Sequence, residues 1–441
     1  MADIQTWPEH HFQRCHDFGV IIPHWIKERQ IYTTCLWAGM GTHAVALLYI
    51  KHFVKWAYDI NMKLTCYSMT DYDKTCQQLL KTFRPRCLFG DLSEQFPEDL
   101  ENKIRAQQTR LRKEFEDFQG TCLQKKQEKD ELTLGFRLLV EELAEQTQWQ
   151  WPTRAICSIR SDGLLPQEAD LHPPLDKDDI WLEAISPSCV NWSKQGKRMG
   201  WLGEQSLPMI LYAIGMRQRS RLPHLVMLEC VPDFDLAWLT TLSGGALRFQ
   251  VCELAPYDEG LPVTGPRLWA ASAQGLLEFG IPPFDPCMVD RCIRREVITR
   301  PYIWMISSEE EQQQFNQHVG ARDALQPHPG GKLYRPEDML PAGHHCRLVE
   351  HRMKAARVRQ KNPGLYSEDF FFDIGRLERF ARSPDGLLPR QLTASMIWSE
   401  QVKRLMTPTE LLASQGKCYF KCVTLFMITH ASMFVQCSLF S

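Results

Sequence analysis

The sequence has little net charge and lacks several patterns that define large protein classes. Its 51 Lys and Arg residues nearly balance its 53 Asp and Glu residues, which leaves a formal net charge of −2. This balance excludes a uniformly basic protein that coats nucleic acid, so any contact with nucleic acid must come from local patches. The first residues also lack the basic segment and apolar core of a secretory signal, which predicts a protein that is not secreted.

The sixteen cysteines are scattered along 441 residues and include no two CxxC elements at zinc-ribbon spacing. This distribution favours reduced thiols, and we therefore expect a nuclear or cytoplasmic location. His344, His345 and Cys346 are adjacent but have no fourth ligand nearby, so no metal site is predicted.

The segment 422–441 contains no Asp, Glu, Lys or Arg and is rich in Phe, Met, Val and Leu. It is long enough to span a bilayer. Polar residues such as Thr424, His430 and Gln436 dilute its apolar character, so we expect no stable membrane association, although an anchor is not excluded.

Short apolar runs alternate with helical patterns between residues 31 and 92. IYTTCLWAG, KLTCYSM and RCLFGDL are typical of strands, and THAVALLYIKHFVKWAY and YDKTCQQLLKTF are typical of helices. Strand patterns resume at DIWLEAISPS, HLVMLECV, LRFQVCEL and RLWAASA, with a helix, LPMILYAIGMRQR, between the first two. Parallel strands joined by helices predict an α/β, doubly wound sheet.

Three further regions differ in composition from this alternating part. Residues 93 to about 150 are dense in charged residues and Gln, which predicts a helical insertion with a mostly solvated surface. Beyond residue 275, proline-rich turns and a basic helical stretch, 347–361, predict a second, smaller and irregular domain. Residues 390–416 return to helical periodicity.

Candidate ligand-binding residues follow the first three predicted strands. Trp37-Ala38-Gly39-Met40-Gly41 lies between a strand and a helix, where glycines let the backbone approach a ligand. Asp71 and Asp91 follow the second and third strands, and ligands of open α/β sheets bind at the carboxyl ends of strands. A carboxylate there suits a ribose diol or an adenine amino group. The alternative is that these acids cap the following helices.

A cysteine and a glutamate follow the next two predicted strands. Cys189 lies in the segment SPSCVNWSKQGKRMG, whose Lys and Arg residues favour the thiolate. Glu229, at the end of the next strand, places a carboxylate beside that thiol. A thiolate and a protonatable acid in one pocket are the pair required for attack on a pyrimidine ring. The alternatives are a small buried cysteine and a glutamate with an unrelated hydrogen bond.

These motifs, in their order along the chain, resemble those of the cytosine-5 DNA methyltransferase family. Residues 37–41 are similar to its Phe-Ala-Gly-x-Gly motif, Asp71 to its strand-two acid, and Gly90-Asp91-Leu92 to its Gly-Asp-hydrophobic motif. The family's Pro-Cys-Gln-x-x-Ser loop and its two glycines are matched by Cys189, Ser193, Gly196 and Gly200, and its Glu-Asn-Val motif by Glu229-Cys230-Val231. Residues 260–267 resemble a Gly-x-Pro-Gln-x-Arg-x-Arg segment and keep Arg267, and residues 404–416 resemble the family's last helix.

The resemblance implies a Rossmann-like methyltransferase sheet and S-adenosyl-L-methionine as cofactor. Its cofactor-binding residues would be Trp37, Gly39, Gly41, Asp71, Asp91 and Leu92. Cys189 would add to ring carbon 6, Glu229 would bind or protonate ring nitrogen 3, and Arg267 would contact the flipped base. The partner would be DNA, or alternatively a transfer RNA, and no metal is required. The basic stretch 347–361 would face DNA or would be merely solvated.

The same comparison divides the chain into seven segments. They are an N-terminal extension (1–30), a cofactor-binding half (31–92), the charged helical insertion (93–178), a catalytic half with the nucleophile (179–275), a target-recognition domain (276–388), a helix returning to the catalytic domain (389–416) and an atypical apolar tail (417–441).

Several residues depart from the family's pattern. Ser188, Val190 and Cys230 replace its Pro, Gln and Asn, an arginine is replaced by Gly265, and no Gly-Asn-x-Val segment follows Lys417. A catalytically impaired nucleic-acid-binding relative is therefore an alternative to the enzyme. A metabolic small-molecule methyltransferase is disfavoured, because it needs no thiol and carboxylate beside a base-sized pocket.

Overall fold

The computed structural model describes most of the chain between residues 29 and 414. The described residues are 29–39, 41–147, 154–159, 172–193, 196, 198–259, 263, 265–273, 305–319, 337, 340–364, 370–377, 387–389 and 395–414. Met40 and the predicted apolar tail, 417–441, lie outside them. Within these ranges, no helix combines the length and the apolar character that crossing a membrane requires.

Seven strands form the main sheet. They are β1 (Gln30–Leu36), β2 (Lys63–Thr70), β3 (Cys87–Phe89), β4 (Ile180–Ile185), β5 (Leu225–Cys230), β6 (Gln250–Leu254) and β7 (Arg267–Ser272), in the order β3-β2-β1-β4-β5-β7-β6. Strands β1 to β5 pair in parallel, and β7 runs antiparallel to β5. The strand order reverses between β1 and β4. This strand order confirms the predicted α/β, doubly wound, Rossmann-like fold class.

Six helices belong to the same part of the chain. They are α1 (Thr42–Tyr58), α2 (Lys74–Leu80), α3 (Glu98–Asp117), α4 (Cys122–Gln146), α5 (Leu207–Gln218) and α6 (Leu236–Leu242). Helix α1 has the bounds that its sequence pattern predicts. Helix α2 begins at Lys74, two residues later than predicted, because the Asp73 carboxylate caps it by accepting from the backbone N–H groups of Thr75 and Cys76.

The predicted helical insertion consists of α3 and α4, which pack against each other. One face of each helix is buried, at Leu100, Ile104 and Leu111 in α3 and at Phe136 and Val140 in α4. These residues join the principal core, the cluster that also contains the ends of β1, β4 and β5 and nearly all of α5. The insertion is therefore solvated on its outer faces only, and its inner faces form part of the main hydrophobic core.

A second compact unit contains the described residues between 305 and 414. Its elements are α7 (Glu309–His318), α8 (Ala342–Lys361), β8 (Phe371–Asp373), β9 (Ile397–Ser399), β10 (Arg404–Leu405) and α9 (Pro408–Ser414). The three strands form an antiparallel sheet in the order β10-β9-β8. Leu348 of α8 packs with Phe372 and Trp398 of this sheet in a separate hydrophobic cluster.

The prediction of helix across residues 390–416 is wrong for residues 397–405, which form β9 and β10. Long-range pairing of β9 with β8 satisfies backbone groups that a helix would have satisfied locally. The buried Asp373 carboxylate reinforces this pairing, because it accepts from the Met396 N–H at 3.0 Å and the Ser395 hydroxyl at 2.7 Å. Within the described part of this segment, 395–414, the helix begins at Pro408.

Candidate active site at the carboxyl edge of the sheet

The five parallel strands end in one row. Thr70 is paired with both Leu36 and Phe89, Leu36 is paired with Ile185, and Ile185 is paired with Leu228. The residues that directly follow this row are Trp37, Asp71, Gly90, Ser186 and Glu229. The pairing register therefore brings the segments predicted to carry the site to the same edge of the sheet.

The glycine loop, residues 37–41, has an unusual backbone. Trp37 (φ 53°), Gly39 (φ 53°) and Gly41 (φ 77°) all lie in the left-handed region. At Gly41 a side chain is also excluded by space, because a Cβ would lie 2.5 Å from the Phe83 ring. The half-buried Trp37 ring packs edge-on against Tyr212, with 6.5 Å between ring centroids. The loop is thus a tight turn between β1 and α1 whose shape depends on glycine.

The Asp71 side chain, at the end of the second strand, hydrogen-bonds this loop. Its carboxylate accepts from the Gly39 N–H at 2.7 Å and from the Asp73 N–H at 2.9 Å. Burial raises the pKa of Asp71 to about 6, although the backbone donors of Asp73 and Gly39 act in the opposite direction. Each carboxylate oxygen bonds one backbone donor and keeps a second lone pair as an acceptor.

Asp91 and Leu92 have clear structural roles after the third strand. The Asp91 carboxylate accepts from the Ser93 N–H at 2.9 Å and caps the short 3-10 turn Leu92–Gln95. The Leu92 side chain is buried in the principal core. These contacts agree with the alternative interpretation of Asp91 as a capping residue. Any cofactor contact of Asp91 would use the carboxylate lone pairs that do not accept from the Ser93 N–H.

The Cys189 loop, residues 189–206, folds back on itself. The Cys189 carbonyl accepts from the N–H groups of Trp192 and Ser193 at 3.0 and 2.8 Å. A Cβ at Gly196 would lie 1.8 Å from the Val190 carbonyl oxygen, so only glycine fits there. Cys189 itself is half-buried and packs against the principal core. The flanking Lys194 and Lys197 lie outside the described residues.

Glu229 is paired with Arg267, as expected for residues at adjoining strand ends. The antiparallel register of β5 and β7 places the start of β7 beside the end of β5. The Arg267 Nε lies 2.5 Å from Glu229 Oε1, and the two side chains are 19% and 9% exposed. Arg267 Nη1 is buried and has no hydrogen-bond partner among the residues that the structure describes. One donor of the pair is therefore unsatisfied by the described residues.

Cys230, the last residue of β5, follows Glu229 in the chain and lies near the segment that precedes Cys189. Its thiol is 3.9 Å from the carbonyl oxygen of Pro187, two residues before Cys189. Burial raises the pKa of Cys230 well above its ordinary value, and the charges of Glu229 and Cys189 raise it further. The end of β5 and the segment that leads into Cys189 are therefore neighbours at the sheet edge.

The predicted basic surface of residues 347–361 needs correction at two positions. Arg347 donates to the carbonyl of Gly375 at 2.9 Å, and Arg352 forms a two-pronged contact with Glu400, at 2.5 and 3.1 Å. Both arginines bind groups of the second compact unit, because a backbone carbonyl and a buried carboxylate there need hydrogen-bond donors. Arg357 and Arg359 remain exposed on α8.

The sequence analysis missed Glu183, in the middle of β4. This carboxylate is 2% exposed, and it accepts from the Thr34 hydroxyl at 2.9 Å, the Tyr212 hydroxyl at 2.7 Å and Arg219 at 3.0 Å. A charged residue within an apolar strand was the available signal, because a buried carboxylate requires partners. Tyr212 links this network to Trp37 of the glycine loop.

No protein-family model and no curated protein matches this sequence. Among solved structures, the chain is similar to the Dnmt2 methyltransferase of S. pombe, with 11% identity and a TM-score of 0.37 over 93% of this chain and 94% of that chain. It is also similar to the Entamoeba histolytica methyltransferase EhMeth, with 9% identity and a TM-score of 0.36 over 92% of this chain and 98% of that chain.

A mutant form of Spodoptera frugiperda DNMT2 gives similar values, with 11% identity and a TM-score of 0.36 over 93% of this chain and 96% of that chain. These likenesses are remote. In the described ranges, no group of three or more His, Cys, Asp or Glu side chains could hold a metal ion.

Proposed function

We propose that this protein transfers a methyl group from S-adenosyl-L-methionine to carbon 5 of cytosine in DNA, with Cys189 as nucleophile. The observations that support this proposal are the Glu229–Arg267 pair at the end of β5 and the contact of the adjacent Cys230 with the Pro187 carbonyl, two residues before Cys189. The glycine loop and Asp71 lie at the same edge. A thiol and a carboxylate beside a site for a small cofactor suit pyrimidine methylation.

The residues at the ends of β1 and β2 fit the cofactor. Asp71 is buried at the strand end, and its carboxylate keeps lone pairs that can accept the hydroxyl protons of a ribose. The turn at Gly39 and Gly41 brings the backbone close to the same edge. Trp37 supplies an aromatic ring there. When bound, the cofactor supplies an electrophilic methyl group.

The remaining steps belong to the side chains at the ends of β4, β5 and β7. The Cys189 thiolate forms a bond to ring carbon 6, which breaks the 5,6 double bond and makes carbon 5 nucleophilic. Glu229 binds or protonates ring nitrogen 3, and Arg267, which pairs with Glu229, contacts the base. After methylation, carbon 5 gives its proton to water and the thiolate leaves, which restores the double bond. The base must be flipped out of a duplex to reach these groups.

The test is transfer of labelled methyl groups to duplex DNA and to transfer RNA, measured side by side. We expect transfer to DNA by the wild-type protein and its loss in Cys189→Ala. Cys122→Ala is the matched control, because Cys122 is an exposed thiol at the start of α4. Transfer by Cys189→Ala at the wild-type rate would refute the assignment of the nucleophile, and transfer to transfer RNA alone would reassign the substrate.

A non-catalytic, nucleic-acid-binding relative is the second candidate. Asp91 caps a turn and Leu92 is buried in the principal core, so neither residue is free to serve the cofactor alone. This weakens one side of the predicted cofactor site and favours the non-catalytic candidate. For this candidate, calorimetry shows cofactor or DNA binding while a sensitive transfer assay stays blank. Measurable turnover that depends on Cys189 eliminates it.

A further inference from the structure

Gln108 lies on the buried face of α3, inside the helical insertion. It occupies the same helix stripe as Leu100, Ile104 and Leu111, and it is 2% exposed. Its amide nitrogen donates to the carbonyls of Trp201 and Gly203 at 2.9 and 3.2 Å and to the Ser206 hydroxyl at 3.0 Å. A polar residue in an apolar stripe thus binds the end of the Cys189 loop.

The orientation of the Gln108 amide follows from its surroundings. The two carbonyls are acceptors only, and the Ser206 hydroxyl, 2.8 Å from the Trp201 oxygen and 2.6 Å from the Gly203 oxygen, has one proton to share between them. An amide oxygen facing these three oxygens would be repelled, so the nitrogen must face them. The contact therefore depends on the donor and not merely on the size of the side chain.

The loop residues that Gln108 holds are in contact with the turn at Cys189. A Cβ at Gly203 would lie 2.1 Å from the Asn191 side chain, so these two residues touch. The Asn191 carbonyl accepts from the Gly200 N–H at 2.9 Å. Asn191 lies inside the turn that the Cys189 carbonyl closes by accepting from Trp192 and Ser193. A displacement at Gly203 is thereby transmitted to the turn that carries the thiol.

Other residues of the insertion hold the same loop. Lys129 of α4 donates to the Arg198 carbonyl, and Arg112 of α3 lies 3.4 Å from the Glu204 carboxylate. These two contacts are exposed and contribute little on their own. The buried Gln108 contact is the strongest of the set, because the single Ser206 proton cannot satisfy both buried carbonyls once the Gln108 donor is lost.

We propose that Gln108 is a positioning residue for Cys189, and that the insertion formed by α3 and α4 holds the Cys189 loop in its reactive shape. This inference rests on the proposed function for its effect on turnover. The restraint on the loop itself is independent of that function. Gln108 touches neither substrate nor cofactor, so its effect reaches the chemistry only through the loop.

The experiment compares Gln108→Met and Gln108→Glu with Gln107→Met in the full chain. Methionine keeps the length of glutamine without its donor, whereas glutamate places a negative charge against three oxygens. Gln107 lies on the same helix, where its side chain bonds only Arg110 among the contacts that the structure describes. The readouts are amide exchange of residues 198–206, the rate of Cys189 alkylation by iodoacetamide, and kcat and KM for methyl transfer.

We expect amide exchange of the loop to rise about tenfold in Gln108→Met and more in Gln108→Glu. The change in the Cys189 alkylation rate should likewise be larger in Gln108→Glu than in Gln108→Met. In both variants kcat should fall while KM for the cofactor stays constant. Gln107→Met should match the wild type. Wild-type exchange and alkylation in both Gln108 variants would overturn the inference, as would an equal change in Gln107→Met.

Failure of the proposed function gives a different pattern. If the wild-type protein transfers no methyl group to DNA or transfer RNA, that function fails. The exchange and alkylation measurements still decide whether Gln108 positions Cys189.

Discussion

Two carboxylate–arginine pairs on neighbouring strands of the sheet differ in how completely they are satisfied. Glu183 and Arg219 are 2% and 7% exposed, and hydroxyls of Thr34 and Tyr212 also bind the carboxylate. Glu229 and Arg267 are more exposed, and Arg267 Nη1 has no partner among the described residues. Protein groups satisfy the first pair, whereas one nitrogen of the second pair has no partner among the described residues.

This difference separates a structural role from a chemical one. A closed buried pair contributes to uniqueness of the fold and is costly to break on one side. An incompletely satisfied pair at a strand end is what a binding site requires, because a ligand can complete it. Three predictions test this contrast, from the largest expected effect to the smallest.

Replacing the carboxylate of the second pair should affect chemistry more than stability. In Glu229→Gln, we expect single-turnover methyl transfer to fall by about a thousandfold, because the residue that binds ring nitrogen 3 loses its acid–base capacity. The midpoint of urea unfolding should fall less than in Glu183→Gln, because Glu229 and Arg267 are more exposed than Glu183 and Arg219. Unaltered transfer in this variant would show that Glu229 is structural, like Glu183.

Replacing the closed carboxylate should have the opposite result. In Glu183→Gln, the buried Arg219 loses its counterion, and we expect the free energy of unfolding to fall by about 3 kcal/mol. Urea unfolding measures this change. Glu145→Gln is the matched control, because Glu145 pairs with Arg217 at 3.6 Å while 67% exposed, and it should lose less than about 0.5 kcal/mol. A loss of less than about 0.5 kcal/mol in Glu183→Gln would contradict the difference proposed between the two carboxylate–arginine pairs.

Asp71 is a third buried carboxylate, and its described hydrogen bonds come from backbone N–H groups instead of an arginine. Burial raises its pKa from 3.8 to about 6, so the folded protein binds this proton more tightly than the unfolded chain. The associated stability is present below pH 3.8 and is lost as the pH rises through about 6.

The measurement is urea unfolding of the wild type and Asp71→Asn between pH 4 and pH 7. The free energy of unfolding of the wild type, relative to the variant, should fall by about 1 to 3 kcal/mol over this range. A difference that is constant with pH would mean that Asp71 titrates alike in both states.

Local sequence patterns predicted the main sheet and its helices well. The bounds of α1 follow from the glycine turn before it and the polar residues after it. The pattern failed at residues 397–405, where pairing with β8 and the Asp373 carboxylate decide the structure. Propensity describes only the near neighbours of a residue, and this hairpin depends on partners more than twenty residues away.

The site was predictable to the level of strand ends, and less so at the level of contacts. Parallel strands must deliver Asp71, Cys189 and Glu229 to one edge. The hydrogen bond from the Gly39 N–H to the Asp71 carboxylate depends on the register in which the strands pair. Sequence periodicity does not determine this register to a single residue. The contact of Gln108 with the Cys189 loop joins residues about a hundred positions apart and depends on how the insertion packs.

The close approaches at Gly196 and Gly203 give a genetic means of separating an enzyme from an inactive relative. A Cβ at either position would collide with Val190 or Asn191, so substitutions there disturb the loop whatever the protein does. In a library of random variants, selection for soluble expression alone should retain both glycines and accept changes at Cys189. Selection for methylated DNA should retain all three positions, and depletion at Cys189 would then report chemistry alone.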